Sequence, residues 1–128
     1  MITSPRNKRV AAVRRLRRTR VRRETGTTLI DGPFLLEEAA SGGVEILEVF
    51  ALASDEATAR RCEEAGWNLW LVNADVMGAL GSSVSPRGPV AVISIPESPV
   101  LEARDSVVLY DIADPGNAGT IIRTAGAF

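Results

Sequence analysis

The stretch VEILEVFALASDEATARRCEEAGWNLWLV, residues 44–72, decides the fold class. Its opening VEILEVFA is rich in β-branched and apolar side chains and reads as a strand. Ser54 and the acids behind it then start a helix as a cap and a favourable first turn do, and the helix runs to Gly66. NLWLV follows as a second strand. Working outward, TTLI is a short strand before the Asp31-Gly32-Pro33 turn, and PFLLEEAAS is a helix stopped by Gly42-Gly43. On the other side, NADVMGALGS is a short helix opened by Asn73, and SPRG turns into the buried-looking strand PVAVISI. Strands alternating with helices predict a layered α/β domain on a mainly parallel sheet.

PESPVLEARD then breaks the alternation with two prolines and four charged residues, so residues 96–105 are expected to be a linker. SVVLYDI after it reads as a new strand. The organisation expected is therefore a first domain over 1–95, a linker, and the beginning of a second domain over 106–128. Trp67 and Trp70 flank a strand, which favours packing over base stacking.

At 128 residues the chain has length for one domain and part of another. Its longest apolar runs are too short to cross a bilayer, and no apolar segment follows the basic N-terminus, so a cytoplasmic protein without a membrane partner is expected. There is one cysteine, Cys62, and no histidine. An internal disulfide is excluded, a Cys/His zinc site cannot be assembled, and no imidazole is available to activate the thiol. No metal is expected, and Cys62 reads as a packing residue.

The formal net charge of −1 conceals an asymmetry. Residues 1–23 hold nine arginines, one lysine and no acid, whereas the remainder holds five cations against sixteen acids. Such a basic end points to a polyanionic partner. SPRNKRVAAVRRLRRTRVRRETG reads as one helix, with Ser4 as cap, Pro5 in the first position and Gly26 as the stop. At 100° per residue, Val10, Val13, Leu16 and Val21 share an arc of about 140° that can dock on a core. Lys8, Arg14, Arg15, Arg18 and Arg22 fill the adjoining arc and are the candidate nucleic-acid-binding residues. Guanidinium forks match phosphate oxygens, and several such contacts give affinity without sequence specificity.

The chain closes on DIADPGNAGTIIRTAGAF, residues 111–128. Asn117 stands where a helix cap would stand. Ala118, Ile121, Ile122 and Ala125 follow the spacing of a packing stripe, and Asn117, Thr120, Arg123 and Thr124 fall on the opposite half. An amide, two hydroxyls and a guanidinium are thus aimed at a common space. The pattern is neither the dinucleotide fingerprint nor a P-loop.

DPGNAGTIIRTAGAF resembles the first signature motif of the SpoU (TrmH-type) RNA 2′-O-ribose methyltransferases of the SPOUT superfamily. SPRNKRVAAVRRLRRTRVRRETGTTLIDG is similar to the start of that family's N-terminal substrate-binding domain, and SVSPRGPVAVISI to the segment closing it. The resemblance implies a three-layer α/β/α sandwich that binds RNA, followed by the first β–α unit of a knotted SPOUT-type α/β domain. It implies catalytic roles for Asn117 and Arg123, an RNA-backbone contact for Arg22, rRNA as substrate, S-adenosylmethionine as methyl donor, and a homodimeric full-length enzyme. The glycine-rich motifs that form the family's cofactor site do not occur in these 128 residues. No cofactor-binding residue is therefore expected here; the chain alone is expected to be catalytically inactive and monomeric. Asp31 stands where the family usually has glutamate, and Arg87 where an uncharged polar residue is common.

Two other readings stay open at this level. One is a stand-alone RNA-binding module with no enzymatic role. The other is an interaction protein whose basic helix binds an acidic partner.

Overall fold

A computed structural model describes residues 1–82, 87–97 and 105–128. The SPRG turn and the linker fall largely outside the described residues. Two compact units are resolved, Met1–Glu97 and Ser98–Phe128.

The first unit is built on four strands: β1 (Thr27–Asp31), β2 (Ile46–Leu52), β3 (Leu69–Val72) and β4 (Val90–Ser94). The helices are α1 (Lys8–Arg15), α2 (Thr19–Thr25), α3 (Pro33–Ser41), α4 (Glu56–Ala65) and α5 (Ala74–Leu80). Sheet order is β1-β4-β2-β3. The pair β2/β3 is parallel, while β4 is antiparallel to both β1 and β2. The expectation of a mainly parallel sheet is thus corrected to a mixed one. The first three strands do share a direction, as alternation through helices demands, but the last strand enters between β1 and β2 against them. Met1's neighbour Ile2 extends the other edge through a parallel bridge to Val72.

Period-two alternation sorts the strand side chains into two cores. Phe50, Val72, Val90 and Val92 face α1 and α5, where they meet Val10, Val13, Leu16, Val76, Met77 and Leu80. Val49, Ala91 and Ile93 face Leu36 of α3 and Cys62 of α4. This is a three-layer α/β/α arrangement. A register shift between Ile46 and Glu48 interrupts the alternation, so that Leu47 and Glu48 both serve the α1 side.

Several local readings change. The first helix starts at Asn7, whose side chain accepts from Arg9 N, rather than at Ser4. The α4 cap is Asp55, not Ser54; the Asp55 carboxylate accepts from both the N–H and hydroxyl of Thr58. Gly88 has φ +71°, and a Cβ there would approach Met77 Cε to 2.6 Å, so this glycine lets the β4 approach lie directly on the core.

The second unit carries α6 (Pro115–Gly126). Its cap is Asp114, which accepts from Gly116 N at 2.8 Å, so the cap expected at Asn117 is corrected. Aspartate followed by proline in the first helical position is the stronger start. The strand expected over SVVLYDI does not form: residues 106–112 take no regular secondary structure, and all are exposed. Their β-branched content favours a strand only where a partner strand is present.

Candidate nucleic-acid interface

The single basic helix expected near the N-terminus is two helices. After Arg15 the chain tightens into i→i−3 bonds: Leu16 N to Val13 O, Arg17 N to Arg14 O and Arg18 N to Arg15 O, at 3.0, 3.2 and 3.0 Å. Arg18 is then extended, with φ −86° and ψ 125°, and α2 begins. No proline or glycine causes this break. Two arginines hold it.

Arg17 sends Nη2 to the carbonyls of Ala79 (3.3 Å), Leu80 (2.9 Å) and Gly81. It thereby satisfies the open C-terminus of α5 with a cation, where the helix dipole favours one. Arg22 turns back: Nη1 donates to the carbonyls of Leu16 (2.9 Å) and Arg17 (2.8 Å), and Nη2 to Thr19 Oγ1 (3.0 Å). The guanidinium of this RNA-binding candidate is therefore occupied in capping α1. Two further cations are neutralised. Arg9 pairs with Glu48 at 2.7 Å and lies over the Trp70 ring at 4.1 Å, and Arg20 pairs with Glu24 at 2.7 Å.

The other candidates are differently placed. Lys8, Arg14, Arg15 and Arg18 are exposed and make no side-chain hydrogen bond or ion pair among the described residues; Arg23 joins them. Arg14, Arg15, Arg17 and Arg18 line one concavity of about 360 Å³ beside Ala11. The buried Val10, Val13 and Leu16 anchor this basic surface to the sheet.

The opposite side of the sheet has other electrostatics. There α3 and α4 present Glu37, Glu38, Glu56, Glu63 and Glu64, and Arg61 is held by Glu37 at 2.8 Å and stacks over Trp67 at 4.6 Å. Each tryptophan packs against its core with an arginine over its ring, in line with the packing role expected of both. Asp31 Oδ2 accepts from Ser82 N (2.7 Å) and Ser82 Oγ (2.9 Å), so it fixes the chain leaving α5. Arg87 is exposed.

A family model described as the MRM3-like substrate binding domain matches residues 7–91, from the cap of α1 into β4. The chain belongs to that family. It is 32% identical over 98% of its length to the 23S rRNA (guanosine(2553)-2′-O)-methyltransferase RlmP of Bacillus subtilis, covering 50% of that protein. It is 35% identical, again over 98%, to an uncharacterized tRNA/rRNA methyltransferase of Synechocystis, covering 48% of it. The chain thus spans about half the length of the curated relatives it matches. Among solved structures, the SpoU methyltransferase AviRb from Streptomyces viridochromogenes, in complex with AdoMet, is similar with TM-score 0.77 and 26% identity. That similarity covers 95% of this chain and 50% of the other. An RNA 2′-O ribose methyltransferase crystal structure gives the same TM-score at 27% identity, covering 98% and 51%.

Beyond the substrate binding domain, the second unit holds Asn117 and Arg123 on α6. Thr120 lies three residues from each; its Oγ1 donates to the Gly116 carbonyl at 2.9 Å and is approached by Arg123 Nη2 at 3.5 Å. Asn117 and Arg123 are both exposed. The concavity of this unit, about 650 Å³, is lined by residues 105–107 and by Thr120, Ile121, Thr124, Ala125 and Phe128. Among the described residues lining it, none is a cation that could meet the carboxylate of S-adenosylmethionine. The hydroxyls of Thr120 and Thr124 already donate to helix carbonyls, so these residues do not build a site for that group. Among the described residues, no cluster suited to a metal and no helix long and apolar enough to cross a membrane is found.

Proposed function

We propose that this chain is the RNA-recognising portion of an S-adenosylmethionine-dependent 2′-O-ribose methyltransferase that acts on rRNA. Residues 1–95 form the substrate-binding domain, and 106–128 begin the methyltransferase domain of a longer, homodimeric cytoplasmic enzyme. The observation that carries the reading is the basic surface on α1 and α2: five cations with no hydrogen bond or ion pair among the described residues, set on a buried core. Similarity to two rRNA or tRNA/rRNA methyltransferases over 98% of the chain supports the same reading.

In this reading Lys8, Arg14, Arg15, Arg18 and Arg23 hold phosphates, while Arg17 and Arg22 shape the surface that carries them. Arg123 and Asn117 act at the ribose. A guanidinium stays protonated in proteins and is therefore a poor base. Gripping a phosphate or orienting the 2′-hydroxyl suits Arg123 better, with Asn117 supplying an amide to the ribose beside it. The methyl group and the electrophilic sulfonium belong to the cofactor, whose site these residues do not build.

The test is binding of the 128-residue chain to an rRNA fragment across 50–200 mM salt. Five phosphate contacts predict a log–log slope of roughly −3.5 on single strands. A salt-insensitive affinity would sink the reading, and equal binding to polyglutamate-like polyanions would favour the acidic-partner alternative. Labelled S-adenosylmethionine with rRNA should yield no methyl transfer by this chain alone.

A further inference from the structure

We propose that the notch at the α1–α2 break, bordered by Arg14, Arg15, Arg17 and Arg18, is a subsite for a phosphodiester segment of an RNA strand. The inference rests on the RNA reading above and deepens it by dividing the arginines into those that bind and those that build. An uninterrupted helix would spread these residues over a convex cylinder, with Arg14 and Arg18 one turn apart. The tightened turn after Arg15 instead gathers them around a hollow of about 360 Å³.

Three of the four guanidinia, those of Arg14, Arg15 and Arg18, have no hydrogen bond or ion pair among the described residues. Their forks are free for bidentate contact with phosphate oxygens. The fourth, Arg17, is spent on the α5 carbonyls and serves as the fixed wall. Arg22 fixes the opposite end of the turn through the carbonyls of Leu16 and Arg17. Among the described residues no acid lines the hollow, and Glu48 and Glu24 are each paired with another arginine. Like charges gathered around one hollow repel, and an arriving string of phosphates relieves that repulsion. Only Arg17 is held before a strand arrives, so Arg14, Arg15 and Arg18 have to be ordered on binding.

A free phosphate ion offers the same chemistry as a backbone phosphate, so the experiment has an arm for each. The Nε–Hε resonances of the arginines in the whole 128-residue chain are followed by NMR. One titration uses a short single-stranded RNA, a second inorganic phosphate at equal ionic strength, and a third polyglutamate. The proposal expects Arg14, Arg15 and Arg18 to move with RNA at concentrations where phosphate does nothing, and Arg17 and Arg22 to stay.

The paired affinity measurement compares Arg14→Ala/Arg18→Ala with Arg6→Ala/Arg60→Ala, which removes the same charge outside the notch and outside the phosphate-holding set. The notch double variant should flatten the salt slope by about 1.4, so that it loses about sevenfold less affinity than the parent between 50 and 200 mM salt. All four residues are exposed, and a melting curve for each variant confirms the fold. Arg14→Lys/Arg18→Lys should keep the slope and lose affinity several-fold, because the charge stays and the fork goes. Equal losses from the two alanine pairs would overturn the notch and leave RNA binding standing. No RNA binding by the parent chain would overturn both. Equal response to phosphate or to polyglutamate would overturn the notch as an RNA subsite.

Discussion

Helix α1 has eight residues and sinks Val10 and Val13 into a core, whereas α6 has twelve residues and buries none. Both start in the same manner, with an Asn7 or Asp114 side chain accepting an N–H two residues on. Both have a stripe of apolar residues at helical spacing. The difference is what the stripe meets. In α1 it meets Phe50, Val90 and Val92 across the sheet; in α6, Ile122 remains 62% exposed. Caps and spacing specify that a helix forms, and burial of its stripe supplies most of its stability. The first unit therefore holds its basic surface rigidly, and the second presents Asn117 and Arg123 on a helix supported almost wholly by its own bonds.

The strongest way to break that contrast is Phe50→Ala. Phe50 is fully buried at the centre of the sheet face under α1. Its truncation should cost about 3–5 kcal/mol by denaturant titration and carry α1 down with the sheet. The exchange of α6 amides should be unchanged. If α6 loosens in step with the first unit, the stripe of α6 has support that its exposure does not reveal.

Arg17→Met comes next. It keeps the apolar stem but strips the α5 carbonyls of their cation, at about 1.5–3 kcal/mol by the range for hydrogen bonds to charged groups. Arg17→Lys should recover most of this, because a single nitrogen, Nη2, makes all three carbonyl contacts and an ammonium also carries three donors. A neutral Arg17→Met result would show that the break after Arg15 stands without this anchor.

The same residues mark where the sequence was legible. Helix α3 matches PFLLEEAAS at both ends, Asn73 caps α5 as read, and Gly26 ends α2 in the left-handed conformation. All of these are local signals. The break between α1 and α2 was not legible, because Leu16, Arg17 and Arg18 are good helix formers and the cause lies more than sixty residues away, at the α5 carbonyls. The antiparallel insertion of β4 is likewise a matter of long-range pairing, and the alternation of strands and helices carries no information on it. SVVLYDI has strand composition and finds no strand to pair with among the described residues. As for the interface, Arg14, Arg15 and Arg18 are exposed, but the break rearranges them from the arc of a single helix, and the internal use of Arg22 follows from that break and could not have been seen without it.

Asp114→Ala should act on the second unit alone. Loss of the Gly116 N–H acceptor should cost α6 about 1 kcal/mol and lower helical content by circular dichroism. The denaturation midpoint of the first unit should not move, whereas Asn7→Ala, the matching change in α1, should shift it. If both substitutions shift that midpoint, the two helices depend on one cooperative unit.

The smallest effect expected concerns Cys62 on the acidic side of the sheet. The thiol is 1% exposed, and burial pushes its pKa up, with Asp55 adding to the rise and Arg61 opposing it. A group whose folded pKa is raised adds stability that is complete below its unfolded value, about 8.5 for a thiol, and is lost as pH rises toward the folded value. The first unit should therefore lose a little stability above about pH 8.5, and Cys62→Ala should be less stable overall yet lack that alkaline decline. At neutral pH the buried neutral thiol should react with alkylating reagents only as fast as the first unit opens. In the Phe50→Ala background, where opening is frequent, the same thiol should react faster. A thiol that reacts at the same rate in both backgrounds would show that solvent reaches α4 without the sheet opening, and the contrast between a sealed first unit and an open second one would fail at that helix.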